Sequence, residues 1–103
     1  MKIIKKLSQM ISEEIEDANK YINCALKYKA EYPNLAQVFY NLSTEEMGHQ
    51  NILHNEVVKM INDYRAIHGE PPKEMMALYD YLHEQQIENA RDVKSLQSIY
   101  TES

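Results

Sequence analysis

Leu35-Ala36-Gln37-Val38-Phe39-Tyr40-Asn41-Leu42-Ser43-Thr44-Glu45-Glu46-Met47-Gly48-His49 sets apolar side chains at Leu35, Phe39 and Leu42 and continues the series with Glu46 and His49. Steps of three and four residues keep side chains on one face of a helix. Glu46 and His49 therefore share that face. Ionisable groups stand where the apolar series should go on, so the pattern places them inside a core. A buried charge is costly unless it is paired or coordinates a metal. Glu offers hard oxygen donors and neutral His a borderline nitrogen, a set suited to iron, manganese or zinc.

Chain breakers bound this segment on both sides. Tyr32-Pro33-Asn34 precedes it, and His68-Gly69-Glu70-Pro71-Pro72 follows it. Pro opens helices and Gly commonly follows their ends, so the sequence predicts three helices, near 3–31, 34–68 and 73–100. Lys2, Lys5 and Lys6 oppose the dipole of a helix start, which favours regular helix from nearer Ser8. Traced by threes and fours, the first helix gives Leu7, Ile11, Glu14, Ala18, Tyr21, Ala25 and Tyr28. The second gives Leu35, Phe39, Leu42, Glu46, His49, Leu53, Glu56, Met60 and Ile67. The third gives Met75, Tyr79, Leu82, Gln86, Ala90, Val93 and Tyr100, with Leu96 and Ile99 beside it. Short connections make successive helices antiparallel neighbours. Counted from the Pro33 turn, Glu14 then stands level with Glu46 and His49, within about a turn.

Size and composition narrow the class. A chain of 103 residues makes one small domain. Such a domain buries only about 60–65% of the surface its unfolded chain exposes, so association would help it. Two Gly and three Pro are few, and helix-favouring residues are plentiful. A net charge of −5 argues against nucleic acid and anionic membrane as partners. Cys24 stands alone, which rules out an intramolecular disulfide and reads as a small core residue. No apolar run approaches the roughly 20 residues of a membrane span. The opening Met1-Lys-Ile-Ile-Lys-Lys-Leu7 is too short and interrupted for a signal peptide, so the cytoplasm is the expected location.

One chain thus supplies Glu14, Glu46 and His49, half of a known constellation. Di-iron carboxylate bundles take a Glu from each of two helices and a Glu-x-x-His pair from each of the other two. There is no second Glu-x-x-His in this sequence. Two copies of the first two helices, related by a twofold axis, would complete a four-helix bundle.

The run from Glu14 to Tyr21, followed by Leu35-Ala36, Phe39, Leu42 and Glu46-Met-Gly-His49, resembles the first half of a ferritin or rubrerythrin fold. A metal-bearing half-bundle completed by dimerisation is similar to the encapsulated-ferritin family over residues 10–65. The resemblance implies an all-α, ferritin-like four-helix bundle. It implies iron in a di-iron site, with manganese or zinc as substitutes, held by Glu14, Glu46 and His49 and lined by Tyr21 as a catalytic residue. The implied activity is ferroxidase, the oxidation of Fe(II) by oxygen or peroxide, in a homodimer or a higher even homo-oligomer. Two departures stand out. The chain ends Ile99-Tyr-Thr-Glu-Ser103 without the tail that docks those proteins in a shell, and the third helix is long and well patterned.

Plainer readings stand beside this one. Glu46 and His49 also read as an exposed pair on a metal-free helical interaction module. A rubrerythrin-like peroxide reductase is a third reading, and without rubredoxin-type Cys pairs it needs an external electron donor. Glu13, Glu16 and Asp17 are alternatives to Glu14. Glu56 reads as an interface residue or as an additional acidic ligand. Ser43-Thr-Glu-Glu46 has the form of a capping box. Gly48 costs about 1 kcal/mol in a helix and suits a close neighbouring helix or a bulge. His54 and His68 read as surface residues and His83 as a partly buried structural one. Gln85-Gln-Ile-Glu-Asn-Ala90 echoes Glu13-Glu-Ile-Glu-Asp-Ala18, which places Gln86 where Glu14 sits.

Overall fold

The computed structural model describes residues 2–102, and all its regular structure is helical: α1 Lys2–Tyr28, α2 Pro33–His68 and α3 Lys73–Glu102. The molecule is a rod of 56 × 19 × 18 Å. α1 and α2 form an antiparallel hairpin. α3 runs parallel to α1 and lies along it, with little contact to α2.

α2 begins and ends as the punctuation predicts. Pro33 opens it, and Gly69 closes it at φ 78°, donating its N–H to the Arg65 carbonyl at 3.0 Å. α1 stops at Tyr28, three residues short of expectation. Tyr32 precedes proline and is held out of the helical region, at φ −133° and ψ 69°. The chain therefore reverses between Lys29 and Tyr32, where the Tyr32 N–H donates to the Tyr28 carbonyl at 2.7 Å. At its other end α1 is helical from Lys2, despite the lysines. Ile4 is fully buried there, and its burial outweighs a dipole term of a few tenths of a kcal/mol to ~1 kcal/mol.

The core differs from the traced stripes by one residue on both arms of the hairpin. On α1 the buried line is Ile4, Ser8, Ile11, Ile15, Ala18, Ile22 and Ala25. Ile15 and Ile22 thus take the places expected for Glu14 and Tyr21. On α2 the buried positions are Ala36, Ser43, Met47, Val57 and Ile61, whereas Leu35, Met60 and Ile67 are exposed. Both helices carry two stripes in the same three-four rhythm. The stripe without charged residues packs inside one chain, because it buries no charge. On α3 the traced line holds: Gln86, Val93 and Tyr100 are buried, and Ile99 is exposed.

Polar staples join the helices where the stripes include Ser and Gln. Ser43 Oγ donates to the Ala18 carbonyl at 2.8 Å and accepts from Gln97 Nε2 at 3.0 Å, tying α2 to α1 and α3. Ser43 is thus no helix cap, and α2 is unbroken through it. Gln86 Nε2 donates to the Ser8 carbonyl at 2.9 Å and to Ser12 Oγ at 3.0 Å. Tyr100 OH donates to Gln37 Oε1 at 3.2 Å, and Lys29 Nζ donates to the Tyr100 carbonyl. Cys24 is half-buried rather than a core residue.

Candidate metal centre

α1 and α2 bring Glu14, Glu46 and His49 to one level of the hairpin. One ligand-type atom from each lies within 4.8 Å of the others, and no other group of three such residues converges in this way among the described residues. His49 Nδ1 stands 3.5 Å from Glu14 Oε2 and 3.8 Å from Glu46 Oε2. The cluster is not inside the core, as the sequence pattern suggested. The side chains of Glu14 and Glu46 are 25% and 19% exposed, and that of His49 is 56% exposed. They occupy the second, mixed stripe, which a single chain leaves on its surface.

The electrostatics are those of two acids held together. Glu14 Oε2 is screened from solvent and no hydrogen bond reaches it. The hydrogen bond that a protonated Glu46 shares with Glu14, then burial, then the Glu14 charge raise the Glu46 carboxyl to about 7. His49 offsets part of this and Asp17 adds to it. Two oxygen donors and a nitrogen converge, one oxygen receives no hydrogen bond, and negative charge is in excess. That donor set fits a divalent first-row metal ion.

The other sequence candidates lie elsewhere. Tyr21 lies two turns beyond Glu14 on the same stripe, half-buried, with its ring stacked on Phe39 at 6.3 Å. Tyr28 stacks on Phe39 from further along, at 6.4 Å. Tyr21 forms no hydrogen bond to the three clustered side chains. Glu56 is exposed and outside the cluster. Gly48 has open space where a Cβ would stand, so no helix of its own chain approaches it closely. Gln86 does not mirror Glu14. It is buried between α3 and α1.

His54 is not the surface residue expected. It is half-buried and stacks on His83 at 4.9 Å. A signal for this was present. Ala36, Tyr40, Ser43, Met47, Gln50, His54, Val57 and Ile61 keep the three-four rhythm without a break and carry no acid.

No described helix is long and apolar enough to cross a membrane. Comparison with curated proteins and with solved structures returns no match. The family model for rubrerythrin matches residues 5–95, which takes in both arms of the hairpin, the three clustered side chains and most of α3. Rubrerythrins are generally iron-binding members of the ferritin-like superfamily, and a match of that extent to an all-helical chain means that this chain belongs to the rubrerythrin family.

Proposed function

We propose that this chain holds iron as a pair of ions between two copies of itself and oxidises Fe(II) there. The observation that carries this reading is the convergence of Glu14, Glu46 and His49 around an oxygen that no hydrogen bond satisfies, on a face that one chain leaves open. That face carries exposed apolar side chains along its length: Ile3 and Met10 from α1, and Leu35, Met60 and Ile67 from α2. Aligned apolar surface of this kind marks an interaction site. A twofold axis through it sets two Glu14, two Glu46 and two His49 around one centre, the ligand number of a di-iron carboxylate bundle.

Two ferrous ions supply two electrons, the number that takes dioxygen to hydrogen peroxide or peroxide to water. The protein's part is binding and poise. Carboxylates from Glu14 and Glu46 neutralise cationic charge, and favour the ferric product over the ferrous substrate. Glu46 gives up its proton to bind. His49 contributes a neutral donor and selects against purely oxygen-liking ions such as magnesium. Tyr21, two turns away on the same stripe, would line the region beside the site once a second copy covers that face.

The family match also favours a peroxide reductase. With one cysteine, Cys24, the chain holds no rubredoxin-type centre, so the reductant would come from outside these 103 residues.

The test is anaerobic Fe(II) binding with mass by light scattering, run beside a Glu46→Ala/His49→Ala variant. About two irons per dimer, lost in the variant, is the expected result. No binding would leave a metal-free helical module, and binding that survives the double substitution would remove this cluster as the iron site. Consumption of oxygen against consumption of peroxide, each with stoichiometric Fe(II), then separates the oxidase from the reductase.

A further inference from the structure

The flank of α2 that faces α3 carries a second constellation, apart from the acidic cluster. α1 holds both of the other helices, and between α2 and α3 an open cleft of about 350 Å³ remains. Gln50, Asn51 and His54 line it from α2, and His83, Arg91 and Lys94 from α3. No Asp or Glu lines it, in a chain whose net charge is −5. Neither Arg91 nor Lys94 forms an ion pair with a described residue.

Donors predominate on the wall: Arg and Lys are donors only, and the Asn51 amide, whose oxygen already accepts from Gln50 Nε2 at 2.7 Å, and the imidazole N–H groups add to them. The imidazoles are held in place: His54 stacks on His83 at 4.9 Å and 7°, and Tyr79 stacks on His83 at 5.6 Å and 6°. Gln86 at the base is fixed by its bonds to Ser8 and Ser12 of α1. Parallel stacked rings do not aim two lone pairs at one point, and two cationic side chains repel a cation, so this is no second metal site. Convergent donors with cationic heads suit oxygen-rich anions, which take charge-assisted hydrogen bonds from them.

We propose that the α2–α3 cleft binds a small, multiply charged oxyanion, a phosphate or a polycarboxylate. Arg91 and Lys94 supply the charge. Gln50, Asn51 and the imidazoles supply orientation, and the cleft volume admits a ligand larger than a single inorganic ion. The inference does not depend on metal at the Glu14–Glu46–His49 cluster.

The test is an NMR titration of the full-length, metal-free chain with sodium phosphate and, separately, with citrate, at ionic strength held constant with sodium chloride. Saturable shifts in the ring signals of His54 and His83 and in the side-chain signals of Arg91 and Asn51 are expected. An Arg91→Gln/Lys94→Gln variant should bind roughly tenfold more weakly or worse, while keeping its helix content. A Glu46→Ala/His49→Ala variant should bind the anion as the parent chain does. Saturation by citrate alone assigns carboxylates, and saturation by phosphate alone assigns phosphoryl groups. Shifts that chloride reproduces, shifts that never saturate, or affinity unchanged in the Arg91→Gln/Lys94→Gln variant would overturn the proposal.

Discussion

Glu14 on α1 faces Glu46 on α2 across the hairpin, and the neighbouring Glu14 carboxyl together with burial holds the Glu46 carboxyl at about 7 instead of 4.5. Between those two values the folded chain keeps a proton that the unfolded chain has released. A carboxyl raised in this way contributes stability that falls as pH rises through the window, and stays level on either side. Urea unfolding of the metal-free protein at about pH 5 and about pH 8 should show the parent chain losing ground to a Glu46→Gln variant at the higher pH. Metal affinity should move the other way. Zn(II) binding must displace the proton below pH 7, so calorimetry should show affinity rising towards neutrality with fewer protons released.

Ser43 offers a sharper test of packing. Its hydroxyl bonds to the Ala18 carbonyl and receives Gln97, at a position with no solvent access. Ser43→Ala removes both bonds and takes from the half-buried Gln97 amide its partner on α2, at a cost of about 0.5–1.5 kcal/mol, while the Ala18 carbonyl keeps its bond within α1. Thr44 is exposed and bonds only within its own helix. Thr44→Ala should stay within about 0.5 kcal/mol of the parent chain. Equal urea midpoints for the two variants would contradict the staple.

The two glycines should respond to alanine with opposite signs. A Cβ at Gly48 meets nothing, and the backbone there is ordinary helix, so Gly48→Ala should stabilise a single chain by about 1 kcal/mol. Gly69 closes α2 at φ 78°, where an L side chain is strained by roughly 1–2 kcal/mol. Thermal melts at low protein concentration should therefore move up for Gly48→Ala and down for Gly69→Ala.

Leu35 and Ile67 sit at the two ends of the open face, and Ile67 is 76% exposed. Leu35→Glu and Ile67→Glu should leave circular dichroism unchanged, because neither side chain serves the core of its own chain. Each charge would have to be desolvated between two copies, which weakens association by about tenfold or more. Light scattering should then report one chain mass where the parent gives two. A parent chain that is already monomeric at high concentration, with iron bound, would remove the shared site.

Much of the fold is legible in the sequence, because Pro33, Gly69 and the Pro71-Pro72 pair act locally and do not wait for tertiary structure. The level at which Glu14 meets Glu46 and His49 follows from counting residues away from the same turn. What the sequence hides is which of two stripes a single chain buries. Ile11, Ala18 and Ala25 belong to both, so the rhythm alone does not separate Glu14 from Ile15 or Tyr21 from Ile22. The cost of burying charge decides between them, and it sends the acidic stripe outward. His54 was obscured for the same reason: its neighbours Met47, Val57 and Ile61 define the buried line that the mixed stripe masked.

The parallel course of α1 and α3 has a consequence for how this rod is joined to anything else. With three helices, the chain enters at one pole and leaves at the other, along a long dimension of 56 Å. Sequence attached before Lys2 and sequence attached after Glu102 are held apart by the body between them. A dye pair at those positions would act as a ruler for the helical rod.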